Sequence, residues 1–272
     1  MSANPIILGH LTVLDQPPPE VIKIASEIGF TQVGLRLLAS RPEALSYPLN
    51  RDKAMLGETL RLMRETGVEV FDVDVCKLTP TSKIADFEPM FEAAAALGAK
   101  SVLVTCGDAD DSRFKSNLGA FCDLANKYRL TADLEFMLFT PPVPTLPVAL
   151  EIIEDIGRPN LGVMVDTIHF DRTGASPEVL RSIPRNRLNY IHLTDARREK
   201  PTSLEDLTED SRAYRMIPGE GGLDLVTILR NLPRNLPLCI EVSNARLEST
   251  TSALERARMA FIGANALLNK VA

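Results

Sequence analysis

Four short segments from the middle of the chain onward each carry an apolar run onto a side chain able to bind a metal ion: Glu135 in LEF, Asp166 in VDT, His192 in IHL and Glu241 in IEV. A carboxylate at the end of a buried strand is costly unless it is paired or bound to a cation. Taken singly, each residue has a plain explanation. A strand-end aspartate can cap a helix or anchor a loop, and a buried histidine is ordinarily satisfied by hydrogen bonds. Taken together on four consecutive strands, three carboxylates and one imidazole form an oxygen-rich set. Such a set suits one octahedral divalent cation, with positions left for water or substrate oxygens. Mn2+ or Mg2+ is the preferred ion, with Co2+ or Zn2+ also compatible; a closed structural zinc site would more often use cysteine.

The candidate substrate residues lie beside this set. All three histidines, His10, His169 and His192, fall at expected strand ends or just past them. His169, three residues after Asp166, can donate to a substrate oxygen, take part in proton transfer, or orient a ligand. Arg215 opens the run RMIPGEGG, residues 215–222. Its planar guanidinium suits a bidentate grip on vicinal oxygens or a carboxylate, and the glycines permit close backbone approach. Asp195, three residues after His192, either orients that ligand or caps the loop. From the first half, Arg36 and His10 are expected at the substrate, with Asp74 and Lys77 as further lip candidates.

The elements that must position these residues alternate regularly. Short apolar runs predict strands at 6–11, 32–37, 68–75, 101–105, 131–136, 161–166, 189–194 and 238–242. Helical spacing predicts helices at 20–28, 51–66, 84–97, 113–129, 145–156, 177–183, 223–231 and 246–271, with Gly29, Gly67, Gly98 and Gly157 as stops. A long polar segment, 195–222, follows the seventh strand, and His169 is expected in a turn after the sixth. Eight strands alternating with eight helices, without linker or composition break, predict an α/β fold. The expectation is a single (β/α)8 TIM barrel spanning 1–272, whose chemistry sits at the C-terminal ends of the strands. No G-x-G-x-x-G follows the first strand, which weakens a dinucleotide-binding sheet.

Composition excludes several classes. The chain has 272 residues, 45% hydrophobic and 24% charged, enough for a sizeable core. A net charge of −6 and the absence of tryptophan supply neither a basic footprint nor stacking platforms for nucleic acid. No apolar run is long enough to span a membrane, and the N-terminus lacks a signal-peptide pattern. The four cysteines have no metal or redox spacing and read as reduced, buried thiols. A cytoplasmic protein is expected.

These motifs resemble the xylose isomerase-like barrel superfamily, in its sugar isomerase/epimerase-like branch. The resemblance rests on LEF, VDTIHF, IHLTDA, the R-x-x-PGEG run and IEV, and covers nearly the whole chain. It implies one divalent metal held by Glu135, Asp166, His192 and Glu241, proton transfer by the two glutamates, and substrate contact by His169 and Arg215. The expected activity is isomerisation or epimerisation of a sugar or related hydroxy-ketone through an enediolate. An alternative is a metal-dependent dehydratase of a dehydroshikimate- or inosose-like ketone, in which the same enolate expels a hydroxyl with His169 as acid. The dehydroshikimate branch often has an amide where this chain has His192, and a strand-three histidine where this chain reads VFDVDV. A further alternative is a non-catalytic accessory barrel. Endonuclease IV shares the superfamily, but its three-metal cluster and basic groove need more than three histidines and a net charge of −6. The resemblance also implies a small-molecule substrate and a homo-oligomer.

Overall fold

The computed structural model describes residues 4–271. Eight parallel strands close into one barrel in sequence order: β1 (Ile6–Leu8), β2 (Gln32–Arg36), β3 (Glu69–Leu78), β4 (Ser101–Cys106), β5 (Thr131–Glu135), β6 (Leu161–Asp166), β7 (Leu188–Leu193) and β8 (Leu238–Ile240). Closure is made by β1 pairing β8, with Ile7 opposite Cys239. The helices are α1 (Pro18–Ile28), α2 (Lys53–Thr66), α3 (Glu88–Ala96), α4 (Asp111–Lys127), α5 (Leu146–Ile156), α6 (Thr167–Thr173), α7 (Leu204–Ala213), α8 (Leu225–Arg230), α9 (Ala245–Thr250) and α10 (Ala253–Val271).

The strand alternation of two assigns each residue a side. On β5, Ala132 and Leu134 join the large apolar cluster under the helices, so Asp133 and Glu135 face the barrel interior. The same phase places Met164 and Asp166, Tyr190 and His192, and Cys239 and Glu241 inward. Ile7, Val75, Leu103, Met164, Tyr190 and Cys239 form a separate small apolar cluster. This plug fills the barrel's middle and forms the floor on which the polar mouth stands. The four cysteines are buried and free. No helix among the described residues is long and apolar enough to cross a membrane.

Boundaries depart from the sequence reading where tertiary contacts override local pattern. His169 lies in α6 rather than a turn, because Asp166 caps that helix through Ile168 N at 2.8 Å. The segment 177–183 forms a 3-10 turn, Pro177–Ser182. The polar stretch 195–222 contains α7, whose cap is Ser203. The expected final helix is two: α9 starts on an Asn244 cap and α10 starts after a break at Thr251 and Ser252. Glu241 sits one residue beyond β8.

Gly9, just after β1, is the close approach that admits Glu241. A Cβ there would lie 2.6 Å from Ile240 O and 2.9 Å from Glu241 Cγ. The Gly9→Ala variant is therefore expected to lose about 1–3 kcal/mol of stability. Urea denaturation checks this, and a spared midpoint would show that β8 shifts freely.

Candidate functional site

Glu135 and Asp166 end β5 and β6, and His192 is the last residue but one of β7, all on the same inward phase. Each offers a ligand atom within 4.8 Å of the others, and all three are buried. Glu241 joins them from β8, its Oε2 3.2 Å from His192 Nδ1. His192 is fully enclosed; Nε2 has no hydrogen-bond partner, and Nδ1 has only the poorly aligned Glu241 contact. A buried imidazole with an unpartnered nitrogen among carboxylates is the donor arrangement a divalent cation satisfies. These residues fit a metal ion.

Electrostatics point the same way. Burial, then the neighbouring Asp166, pushes the Glu135 carboxyl up to about 8, a shift that a shared cation would reverse. Burial opposes the charge on His192, but Glu241 outweighs it and pushes the ring up to about 10. Burial likewise opposes ionisation of Glu241, and His192, Arg215 and Arg36 more than offset it, holding the carboxyl low. Burial keeps His169 down at about 4, hence neutral.

Asp166 was expected to rely on a cation for compensation, and the structure adds two protein partners. Oδ1 caps α6, while Oδ2 accepts from Arg215 Nη1 at 2.7 Å. Burial would raise this carboxyl, but Arg215 first, then His169 and His192, holds it below the usual range. Arg215 is itself oriented by donating Nε to Ser211 O at 2.6 Å.

Glu135 and Glu241 open onto a cavity of about 600 Å³, whose lining does not include Asp166 or His192; its size is within the range of small-molecule sites. Glu135, Glu241, His169, Arg36, Arg215 and Lys77 line it. His169 Nε2 lies 3.8 Å from Glu135 Oε1, its ring edge-on to Phe139. Arg36 Nη2 binds Asp74 Oδ2 at 2.7 Å and lies 4.0 Å from Glu241 Oε1.

Two expectations change. His10 was expected at the substrate, but both ring nitrogens are engaged. Nε2 donates to Gln16 O and Nδ1 accepts from Arg36 N, each at 2.8 Å, and the ring stacks on Tyr47. It fixes the backbone of Arg36 instead. Of the two expectations for Asp195, the structure selects the loop anchor. Its carboxylate accepts from Gly219, Gly221, Leu223 and Ala196 backbone N–H groups at 2.9–3.1 Å.

Sequence reasoning missed the polar layer beneath the mouth. Asp133 accepts from Asn189 Nδ2 at 2.7 Å, from Thr131 Oγ1 at 3.1 Å and from Ser101 Oγ, and burial still pushes it up to about 6. Burial, then Asp74, pushes Asp72 up to about 8, and the Tyr190 hydroxyl donates to it at 3.4 Å. The spacing of Asp133 two residues before Glu135 was the available signal. The rim residues Arg41, Leu45, Phe139, Thr208 and Arg212 come from loops and α7, where no periodicity marks them.

A family model described as xylose isomerase-like TIM barrel matches residues 22–261. An inosose isomerase from Bacillus velezensis is 29% identical over 151 residues, 52% of this chain and 52% of that protein. A 3-dehydroshikimate dehydratase from Pseudomonas putida is 28% identical over 183 residues, 64% of this chain and 28% of the dehydratase. The chain thus spans about half, or less, of the length of these curated relatives. The solved structure of an IolI protein with a bound zinc atom superposes at TM-score 0.79 and 20% identity, covering 98% of this chain and 99% of that one. That likeness concerns the fold.

Two outcomes follow from the anchoring residues. Asp195→Ala removes the shared acceptor of four N–H groups, so stability should fall by about 3 kcal/mol or more. Amide exchange should rise at Gly219, Gly221 and Leu223, and unchanged exchange would refute the anchor. Burial lowers His10 from 6.5 to about 4, so above pH 6.5 both folded and unfolded chains leave it neutral. Between about 6.5 and 4 only the unfolded chain takes up the proton. Stability should therefore fall with acidification across that window, by roughly 3 kcal/mol from this group. A flatter stability–pH slope in His10→Gln checks it.

Proposed function

Because the chain belongs to the xylose isomerase-like TIM-barrel family, we propose that it is an enzyme that binds one divalent cation and isomerises or epimerises a hydroxy-ketone. The substrate is a sugar or a related small polyol ketone. The observation that carries this reading is His192: fully buried, its Nε2 unpartnered, and set among Glu135, Asp166 and Glu241, of which the two glutamates line a cavity. Those four residues would hold the ion, and the oxygen-rich set favours Mn2+ or Mg2+. When bound, the ion supplies Lewis-acid stabilisation of the oxygen that gains charge as a neighbouring proton leaves.

The chain's own groups handle the proton. Glu135 and Glu241 both line the cavity, from strands on opposite sides of Asp166 and His192. One carboxylate oxygen accepts the proton from the carbon beside the carbonyl. The other returns a proton to the adjacent carbon, which isomerises, or to the opposite face, which epimerises. Neutral His169, beside Glu135, donates its Nε2 proton to a substrate oxygen as a hydrogen bond. Arg215 holds Asp166 in place and borders the substrate. The plug of Met164, Tyr190 and Cys239 closes the lower side to water.

The match to a 3-dehydroshikimate dehydratase over 64% of the chain favours a second reading. There the same proton abstraction is followed by loss of a β-hydroxyl as water. The carboxyl that took the α-proton returns it to the leaving oxygen, while neutral His169 hydrogen-bonds to that oxygen.

Metal analysis of the purified protein should find one divalent ion per chain, and His192→Ala should weaken its retention by about tenfold or more. Unchanged retention would remove His192 from the ligand set. With ketoses and cyclic ketones in D2O, NMR should show deuterium entering beside the carbonyl, abolished by Glu241→Gln. An alkene product supports the dehydratase reading instead. Absence of exchange with every ketone by the metal-loaded protein would refute catalysis.

A further inference from the structure

The cations around the cavity fall into two groups. Arg36 and Arg215 are each bound to a buried aspartate at 2.7 Å. Arg41, on the loop between β2 and α2, and Arg212, in the last turn of α7, line the same cavity. Neither has a carboxylate within 4.0 Å or a side-chain hydrogen bond among the described residues. Lys77, at the end of β3, is a third lining cation without an ion pair. The two arginines feel each other: burial, then the charge of Arg41, lowers Arg212 below its ordinary value.

Like charges brought together at a cavity mouth are destabilising unless an anion joins them. The nearby acids do not do so. Asp15 is bound to Arg256. Glu248 also lines the cavity, but it makes no ion pair with either arginine. Deeper in, Arg36 is 7% exposed and its Nε lacks any hydrogen-bond partner, a buried donor left over on the same wall. The cavity is therefore polarised, with carboxylates at its base and spare cations at its rim. A substrate with a ketone at one end and a negative charge at the other has a single favourable orientation in it.

We propose that Arg41 and Arg212 grip an oxyanion of the substrate, a carboxylate or a phosphate, so that the enzyme acts on an acidic hydroxy-ketone. This rests on the hydroxy-ketone reading above and narrows it. The guanidinium fork matches either oxyanion. Because both arginines are partly solvated, their grip weakens as salt rises.

D-fructose, D-fructose 6-phosphate and D-fructuronate share one ketone and differ only at C6, so they separate a neutral, a phosphate and a carboxylate end. Calorimetric titration of the metal-loaded protein should show an anionic probe binding about tenfold tighter than fructose. The stronger of the two names the oxyanion. Arg41→Gln and Arg212→Gln should each reduce that advantage severalfold while leaving fructose affinity unchanged and thermal stability no lower. Arg→Lys at either position should recover part of it. Equal affinity for the three probes, or an advantage that survives both glutamine variants, overturns the oxyanion site. The hydroxy-ketone reading fails separately, if none of the three exchanges its α-proton with D2O.

Discussion

The mouth of this barrel concentrates negative charge out of water, and the surrounding architecture answers that constraint. Asp74, Glu135, Asp166 and Glu241 are each at most 6% exposed. Ionised together they would repel strongly in a poorly solvated site. Two arginines, Arg36 and Arg215, supply fixed positive charge, and the His192 ring, paired with Glu241 and with Nε2 unpartnered, lies among the same carboxylates. Breaking one such pair leaves a buried unpaired charge, so these contacts set geometry more than they add net stability.

Holding two arginines in place takes much of the chain. Arg36 is set by the His10 ring, which takes its backbone N–H while bonding to Gln16. Arg215 is held by Ser211 O on α7, by its backbone bond to Ser243 and by Asn244, which donates to its carbonyl. The loop that follows is bound to Asp195. Residues scattered from β1 to α9 thus converge on the orientation of two guanidinium groups, and through them on the carboxylates.

Much of this was legible because a strand's alternation is strict. Glu135, Asp166, His192 and Glu241 each follow an outward apolar residue, so their inward phase could be read directly, as could the eightfold alternation. What was illegible depends on partners distant in sequence. Nothing local distinguishes His10, bonded to residues 6 and 26 positions away, from a histidine facing substrate. Asp166 could be read as cap or ligand; in space it serves as a cap, pairs with Arg215, and still lies among the candidate ligands, because one carboxylate has lone pairs for several partners. The helix α7 was hidden by its polarity, with only Leu207, Asp210 and Ser211 buried.

The anchoring of residues 219–223 by Asp195 has a thermodynamic corollary. A glycine-rich loop is entropically free when unfolded, and here folding has already restricted it. The loop does not line the cavity itself; it follows Arg215, which does. The backbone leading from this guanidinium is therefore ordered before any ligand arrives and costs no loop entropy on binding. The glycines supply close approach rather than motion: a Cβ on Gly221 would collide with the Asp195 carboxylate and Ala196 O. The most flexible-looking sequence next to Arg215 is a preorganised support.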